Sequence, residues 1–268
     1  MRVMPIESPF SRLPDDLPEG APVEPDPAYL DEEEWSGRDF LWVSNEPAGD
    51  AAVHWMRLFE RREETGLYPL LLNTLHGEPG RPWHEGELWP TPVGTIDVLT
   101  ANGVLRRFWD AVAPEPEDDG TDDLLSGPWP GLAAAGEGGE DPDVVARRLA
   151  ESLSIGRDWL LGLVPAARGA DTLTIVGWGG PGNHTNHTQE ISAVVRSWEE
   201  RFGARVVAVG FDELSLSVAA PPVTLDHALR VAAEHLAFCP DNIWQGVGSL
   251  EDYAEGLVGA DHWSFWWD

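Results

Sequence analysis

The sequence predicts an α/β fold with a mixed, mostly parallel sheet, built from strand-helix-strand units and flanked by helices. The prediction depends on an order of elements that occurs twice. A strand, a helix, a glycine stop and a second strand follow one another over residues 40–72 and again over residues 173–209. Because such crossovers are right-handed and join parallel strands, each unit is expected to contribute a parallel pair.

The first unit begins with residues 40–43, which have the pattern of a short buried strand. Asp50 is expected to cap a helix that continues to Glu64 and ends at Gly66. Short acidic side chains favour the N-cap position, and glycine favours the position after a helix. Residues 68–72 are the next predicted strand.

The second unit begins with residues 173–176, which are predicted to be a strand. Residues 188–202 carry apolar side chains at helical spacing and are predicted to be a helix that stops at Gly203. Residues 205–209 form the following strand. Residues 214–218 alternate in polarity and are expected to pair beside it through a short turn.

Two further helices are predicted near the end of the sequence. Thr224 is expected to cap the first, which Pro240 terminates, and the apolar stripe of this helix includes Cys239. Ser249 and Asp252 have the spacing of a capping pair for the second helix.

Residues 263–267 are predicted to be the final strand and are rich in aromatic side chains. Alternation places Trp263, Phe265 and Trp267 on one face and Trp266 on the other. Because a buried aromatic side chain removes about 150–250 Å² from water, core packing is the preferred interpretation. A stacking platform for a ligand and an apolar partner surface are the alternatives.

The formal net charge of -30 is concentrated in two segments. Residues 1–36 contain ten acids and two arginines among many prolines and are expected to form an acidic, disordered N-terminal tail. Residues 114–143 contain ten acids and no base and are interpreted as an acidic linker or excursion. These segments bound a strand-helix-strand region, residues 37–113, and a C-terminal α/β module, residues 144–268.

The composition also argues against several classes of protein. All 17 basic residues are arginines in scattered positions, so nucleic-acid binding, which needs basic clusters, is not expected. No apolar run is long enough for a signal peptide or a membrane span, and the single cysteine excludes an internal disulfide. The sequence therefore predicts a cytoplasmic protein with no membrane partner.

The polar loop over residues 177–187 is the main candidate site. Residues 177–182 match G-x-G-x-x-G formally, but Trp178 and Pro181 suit a dinucleotide loop poorly, so a structural turn is the preferred interpretation. The predicted binding residues lie in this loop and after the Cys-Pro dipeptide, and they are Trp178, Asn183, His184, His187, Asp241 and Gln245.

No cofactor is expected, but a zinc site is kept as the alternative. His184 and His187 are three residues apart at a helix entrance, and His235 and Cys239 are four apart on a helix. A fold that brought the loop over that helix end would join the four side chains. Otherwise His235 is a core residue and Cys239 a buried, inert thiol.

Several motifs resemble the bacterial domain-of-unknown-function family numbered 4253. They include Gly-Trp-Gly-Gly at residues 177–180, Phe-Cys-Pro-Asp at 238–241 with Gln-Gly at 245–246, and the aromatic run at 263–268. The resemblance also includes residues 189–203 and covers roughly residues 171–268. It implies a cytoplasmic bacterial protein of unassigned activity, without a catalytic motif.

Two classes of function are compatible with these features. The first is a binding or interaction protein, of an immunity or antitoxin type, whose acidic segments engage a basic protein partner. The second is a small-molecule or metal-dependent enzyme that uses the loop at residues 177–187 with His235, Cys239 and Asp241. The sequence leaves open whether the protein catalyses a reaction.

Overall fold

A seven-stranded sheet runs through the protein in the computed structural model, which describes residues 8–30, 37–112 and 127–268. In chain order the strands are β1 Gly20–Pro22, β2 Trp42–Ser44, β3 Tyr68–Leu72, β4 Leu160–Val164, β5 Arg205–Val209, β6 Glu213–Ser217 and β7 His262–Trp266. Across the sheet they lie in the order β1-β2-β4-β3-β5-β6-β7. The α/β class and the mixed sheet are therefore confirmed.

The prediction of a mostly parallel sheet is wrong. Among the described strands, only β3 and β5 pair in parallel, and every other pair is antiparallel. Strand β4, which the sequence patterns did not reveal, lies between β2 and β3 and is antiparallel to both. The predicted crossover therefore does give β2 and β3 the same direction, but the two strands do not touch.

Helices cover both faces of the sheet. The α-helices in the described residues are α1 Ala51–Glu60, α2 Arg62–Thr65, α3 Ala101–Val112, α4 Pro142–Leu153, α5 Gly169–Val176, α6 Thr188–Phe202, α7 Leu225–Phe238 and α8 Leu250–Leu257. Helices α1 and α4 pack together against β3 to β6, while α5, α6 and α7 lie over the other face, with α3 and α8 outside them. Among the described residues, no helix is sufficiently long and apolar to cross a membrane.

Residues 173–176 are helical, so their prediction as a strand is wrong. They form the end of α5, a helix that is buried on nearly all sides. A short apolar run of this kind cannot be assigned to a strand or a buried helix by periodicity. The hydroxyls of Thr172 and Thr174 are satisfied by the Gly169 carbonyl and by Ser192, which removes the cost of burying them.

The predicted helix ends are confirmed except for the cap at Asp50, which precedes α1 but makes no capping hydrogen bond with its side chain. Thr224 accepts a hydrogen bond from the His227 amide, and Ser249 accepts one from the Asp252 amide. Gly203 follows α6 in the left-handed conformation, with φ of 61°. The first predicted helix is broken at Arg61 into α1 and α2.

The two acidic segments contribute structured parts to the fold. Within the first, residues 8–30 include β1, which pairs with β2 at the edge of the sheet. Within the second, residues 127–141 have no regular secondary structure and contact α6 and α7, where the Ala133 amide donates to Glu234. Predictions of flexibility for residues 1–7, 31–36 and 114–126 fall outside the described residues.

Candidate functional site

The aromatic face of β7 belongs to the core. Trp263, Phe265 and Trp267 are buried, and the Phe265 ring stacks on Trp198 of α6 with 5.3 Å between centroids. Trp267 contacts Trp178 edge to face at 5.5 Å. Core packing is therefore confirmed for this face, and Trp266 on the opposite face is 38% exposed.

The glycine-rich segment at residues 177–182 follows a helix and not a strand, which removes the context that a dinucleotide loop requires. Gly177 caps α5 with φ of 65°, and a Cβ atom there would collide with the Trp89 backbone. The buried Trp178 indole donates to the Gly210 carbonyl at 2.9 Å. The segment is thus a structural turn that ties two loops together.

Three of the predicted binding residues lie together just beyond the end of the aromatic strand, with Asp241 bonded to two partners. Its carboxylate accepts hydrogen bonds from the Asp268 amide at 3.2 Å and the Gln245 side chain at 2.9 Å. Asn183 donates to the Asp268 carbonyl at 2.6 Å. The structure therefore brings Asn183, Asp241 and Gln245 together, around backbone groups of the protein itself.

Asn242 makes the central contact of this cluster. Its side-chain amide donates to the Ser264 carbonyl at 2.7 Å and accepts from the Trp266 amide at 3.0 Å. The same amide group donates to the Tyr253 hydroxyl at 3.1 Å. Sequence patterns did not single out Asn242, since a lone asparagine after Cys-Pro-Asp has no distinctive local pattern.

Cys239 is buried and donates its S–H to the Trp266 carbonyl at 2.9 Å. Burial raises the pKa of the Cys239 thiol to about 12. The nucleophilic form of a cysteine is the thiolate, which such a pKa suppresses at neutral pH. The geometry thus supports the interpretation of Cys239 as an inert core thiol.

His235 is fully buried among aromatic rings, and its Nδ1 lies 3.1 Å from the Tyr253 hydroxyl. Burial lowers the pKa of His235 to about 3, because the charged imidazolium is disfavoured away from water. His235 Nε2 has no hydrogen-bond partner within the described residues. A group in this state is neutral at physiological pH.

The two loop histidines lie in different environments. His184 packs edge to face against Phe108 at 4.5 Å, and desolvation lowers its pKa. His187 is exposed at the entrance to α6. Over the parts of the chain that the structure describes, no three His, Cys, Asp or Glu side chains form a group that could hold a metal ion.

A surface that the sequence patterns did not reveal lies beside this cluster. Asn242–Val247 form a π-helix in which Ile243 is buried, while Trp244 is 45% and Val247 51% exposed. Helix α8 follows directly and exposes three acids. We call this the Trp244 surface, and its residues are Trp244, Val247, Glu251, Asp252 and Glu255. In the sequence, Trp244 is followed by two nearby glycines, and a segment of this length is too short to show a periodicity.

The comparisons with known proteins concern the second half of the chain. A family model described as "Domain of unknown function (DUF4253)" matches residues 160–268. No curated protein and no solved structure matches the chain. The matched region starts at the first residue of β4 and includes the glycine-rich turn, the Asn242 contacts and the Trp244 surface. The C-terminal part of the chain, residues 160–268, therefore matches the model of the DUF4253 family, the family that its motifs resemble.

Proposed function

We propose that the protein is a binding protein whose Trp244 surface engages a basic protein partner. The observation that carries the proposal is the exposure of Trp244 and Val247 on a π-helix that leads into an acidic helix face. Tryptophan is enriched among residues that dominate binding energy, and π-helical turns are rare and frequently occur at functional sites. Two exposed apolar side chains would supply the anchor of the interface.

The segment that carries this anchor has charged side chains of mainly one sign. Residues 231–268 contain seven acids and no arginine or lysine. Two of these acids, Glu234 and Asp261, pair with Arg201 and Arg148 from earlier in the chain, at 2.6 and 2.9 Å. Within the described residues, Glu251, Asp252 and Glu255 are not in any ion pair, so their charge is available to a partner.

The helix dipole explains the positions of only some of the acids on α8. Glu251 and Asp252 lie in the first turn of α8, where negative charge interacts favourably with the helix dipole. Glu255 lies in the last turn, where the same dipole disfavours an acid. The helix dipole therefore accounts for Glu251 and Asp252 but not for Glu255.

The partner that fits this surface carries arginine or lysine around an apolar depression. The net charge of -30 would accelerate the approach of such a partner and make association sensitive to salt. A basic toxin is one protein of this kind, so an immunity or antitoxin role is the finer form of the proposal.

The experiment compares affinity capture by three immobilised forms of the full chain in lysate of the source cells. They are the wild type, Trp244→Ala/Glu255→Gln and the control Trp89→Ala/Glu64→Gln. Trp89 is 44% exposed, close to the value for Trp244, but lies on a different segment. Captured proteins are quantified by mass spectrometry, and direct titrations at low and high salt follow.

We expect the wild type and the control to retain the same basic protein. This protein should bind the Trp244→Ala/Glu255→Gln variant at least about tenfold more weakly. Its affinity should fall as the salt concentration rises. The proposal is wrong if the wild type retains no protein that the Trp244 variant loses. It is also wrong if the affected protein is acidic or binds independently of salt.

A further inference from the structure

We propose that the carboxyl end of the parallel pair β3–β5 holds a binding site for a small molecule that carries an oxyanion, a carboxylate or a phosphate group. This site goes beyond the proposed function, because it uses none of the residues of the Trp244 surface. Strand β3 lies between antiparallel β4 and parallel β5, so the loop that follows it leaves the sheet beside the segment that enters β4.

An open surface depression of about 390 Å³ lies at this end of β3. Its volume falls within the range of about 300–1,000 Å³ that small-molecule sites occupy. The walls come from the loop that follows β3 and from the segment that precedes β4, and the lining residues are Asn73, Thr74, Leu75, His76, Gly77, Pro79 and Arg157. Among these residues the only fully charged side chain is a cation, Arg157, in a protein with a net charge of -30.

Within the part of the chain that the structure describes, the Arg157 side chain is oriented by a ring contact and a long ion pair and makes no hydrogen bond. The guanidinium lies over the Trp159 ring, 4.3 Å from the centroid, which restricts its orientation. Its ion pair with Glu213 is long, with 3.9 Å between nitrogen and oxygen, and therefore includes no hydrogen bond. By contrast, Arg196 donates to Asp171 at 2.6 Å. The planar guanidinium of Arg157 can therefore present two parallel N–H groups to an oxyanion.

Asn73 and Thr74 add neutral polar groups beside this cation. The Asn73 backbone is fixed, since its amide donates to the Val209 carbonyl at 3.0 Å and its carbonyl accepts from the Trp83 indole at 2.7 Å. The side chains of Asn73 and Thr74 make no hydrogen bond inside the described part of the protein. A rigid backbone with unused side-chain donors is the arrangement that orients a bound ligand.

The test uses NMR titrations of the isotopically labelled full chain with sodium phosphate and, separately, sodium acetate, at constant ionic strength in sodium chloride. The variants are Arg157→Gln and the control Arg61→Gln, whose arginine is also exposed and pairs with Glu64 on the surface. Thr74→Val is a second variant at the depression, which keeps the test valid if Arg157→Gln folds poorly. Circular dichroism checks the fold of each protein.

We expect saturable shifts of the Asn73 and Thr74 amide signals with at least one of the two salts. The affinity should fall at least about tenfold in Arg157→Gln and be unchanged in Arg61→Gln. Saturation with phosphate alone or acetate alone would identify which group the site prefers. The proposal is overturned if neither salt saturates these signals, or if Arg157→Gln and Thr74→Val both bind like the wild type.

Discussion

Removal of the buried Glu234 carboxylate is predicted to cause one of the largest losses of stability that a single substitution can cause in this protein. It accepts hydrogen bonds from the Arg201 guanidinium at 2.6 and 2.7 Å, the Trp198 indole at 2.8 Å and the Ala133 amide at 2.7 Å. Glu234→Ala leaves a largely buried cation and two buried donors without an acceptor. Breaking a buried ion pair from one side costs about 3–5 kcal/mol. We expect a loss at the upper end of this range, because Ala133 and Trp198 also lose their acceptor.

Urea unfolding followed by tryptophan fluorescence measures this loss. The matched control is Glu200→Ala, which removes an exposed partner of Arg168 and should cost no more than about 1 kcal/mol. The double variant Glu234→Leu/Arg201→Met removes both charges and should recover part of the stability. Recovery should be incomplete, because the Ala133 and Trp198 donors remain unsatisfied. A Glu234→Ala loss no larger than that of Glu200→Ala would refute the reasoning.

Three further predictions follow from the same structure. Cys239, with its raised pKa, should react with iodoacetamide about a hundredfold or more slowly in the native protein at pH 8 than in urea, as mass spectrometry will measure; equal rates would contradict its burial. In the unfolded chain, His235 binds a proton when the pH falls below 6.5, the ordinary pKa of histidine. In the native protein, it binds a proton only near pH 3. The free energy of unfolding should therefore fall by about 1.4 kcal/mol for each pH unit as the pH is lowered from 6.5 towards 3. Urea titrations at several pH values should show that His235→Phe lacks this part of the pH dependence. Asn242→Ala should cost about 1–3 kcal/mol for two backbone contacts and accelerate hydrogen exchange at the Trp266 amide, whereas Asn183→Ala, with one contact, should cost less.

Features with a local physical cause were predictable from the sequence. Thr224, Ser249 and Gly203 act at helix ends through bonds or dihedral angles that depend on a few neighbouring residues. The aromatic face of β7 followed from alternation over residues 263–267, which needs no knowledge of the partner strand.

Features that depend on distant pairing were not predictable in this way. The position of β4 between β2 and β3 is set by contacts with residues that lie about ninety or more positions earlier in the chain. A local pattern gives at most the direction of each strand. The predicted crossover therefore could not reveal that β4 would lie between β2 and β3, the two strands that the crossover joins. The mostly antiparallel sheet follows from that insertion.

The candidate site shows the same division. The sequence identified the segment at residues 238–245 as informative, and the structure places Asp241 and Gln245 in one cluster. It did not identify Asn242, whose partners on β7 lie more than twenty residues further on. Exposure of Trp244 was likewise hidden, because it depends on how a π-helical turn is oriented against the rest of the domain.

Asn242 lies at the outer edge of the sheet, beside β7. Its amide group occupies backbone positions of Ser264 and Trp266 on the side of β7 that faces away from β6, the positions that an incoming eighth strand would need. Open strand edges are templates for aggregation, and a strand as rich in aromatic residues as β7 would be a hazardous one. The Asn242 amide and the Cys239 thiol, which donates to the Trp266 carbonyl, together occupy backbone groups that another strand would need in order to pair with this edge.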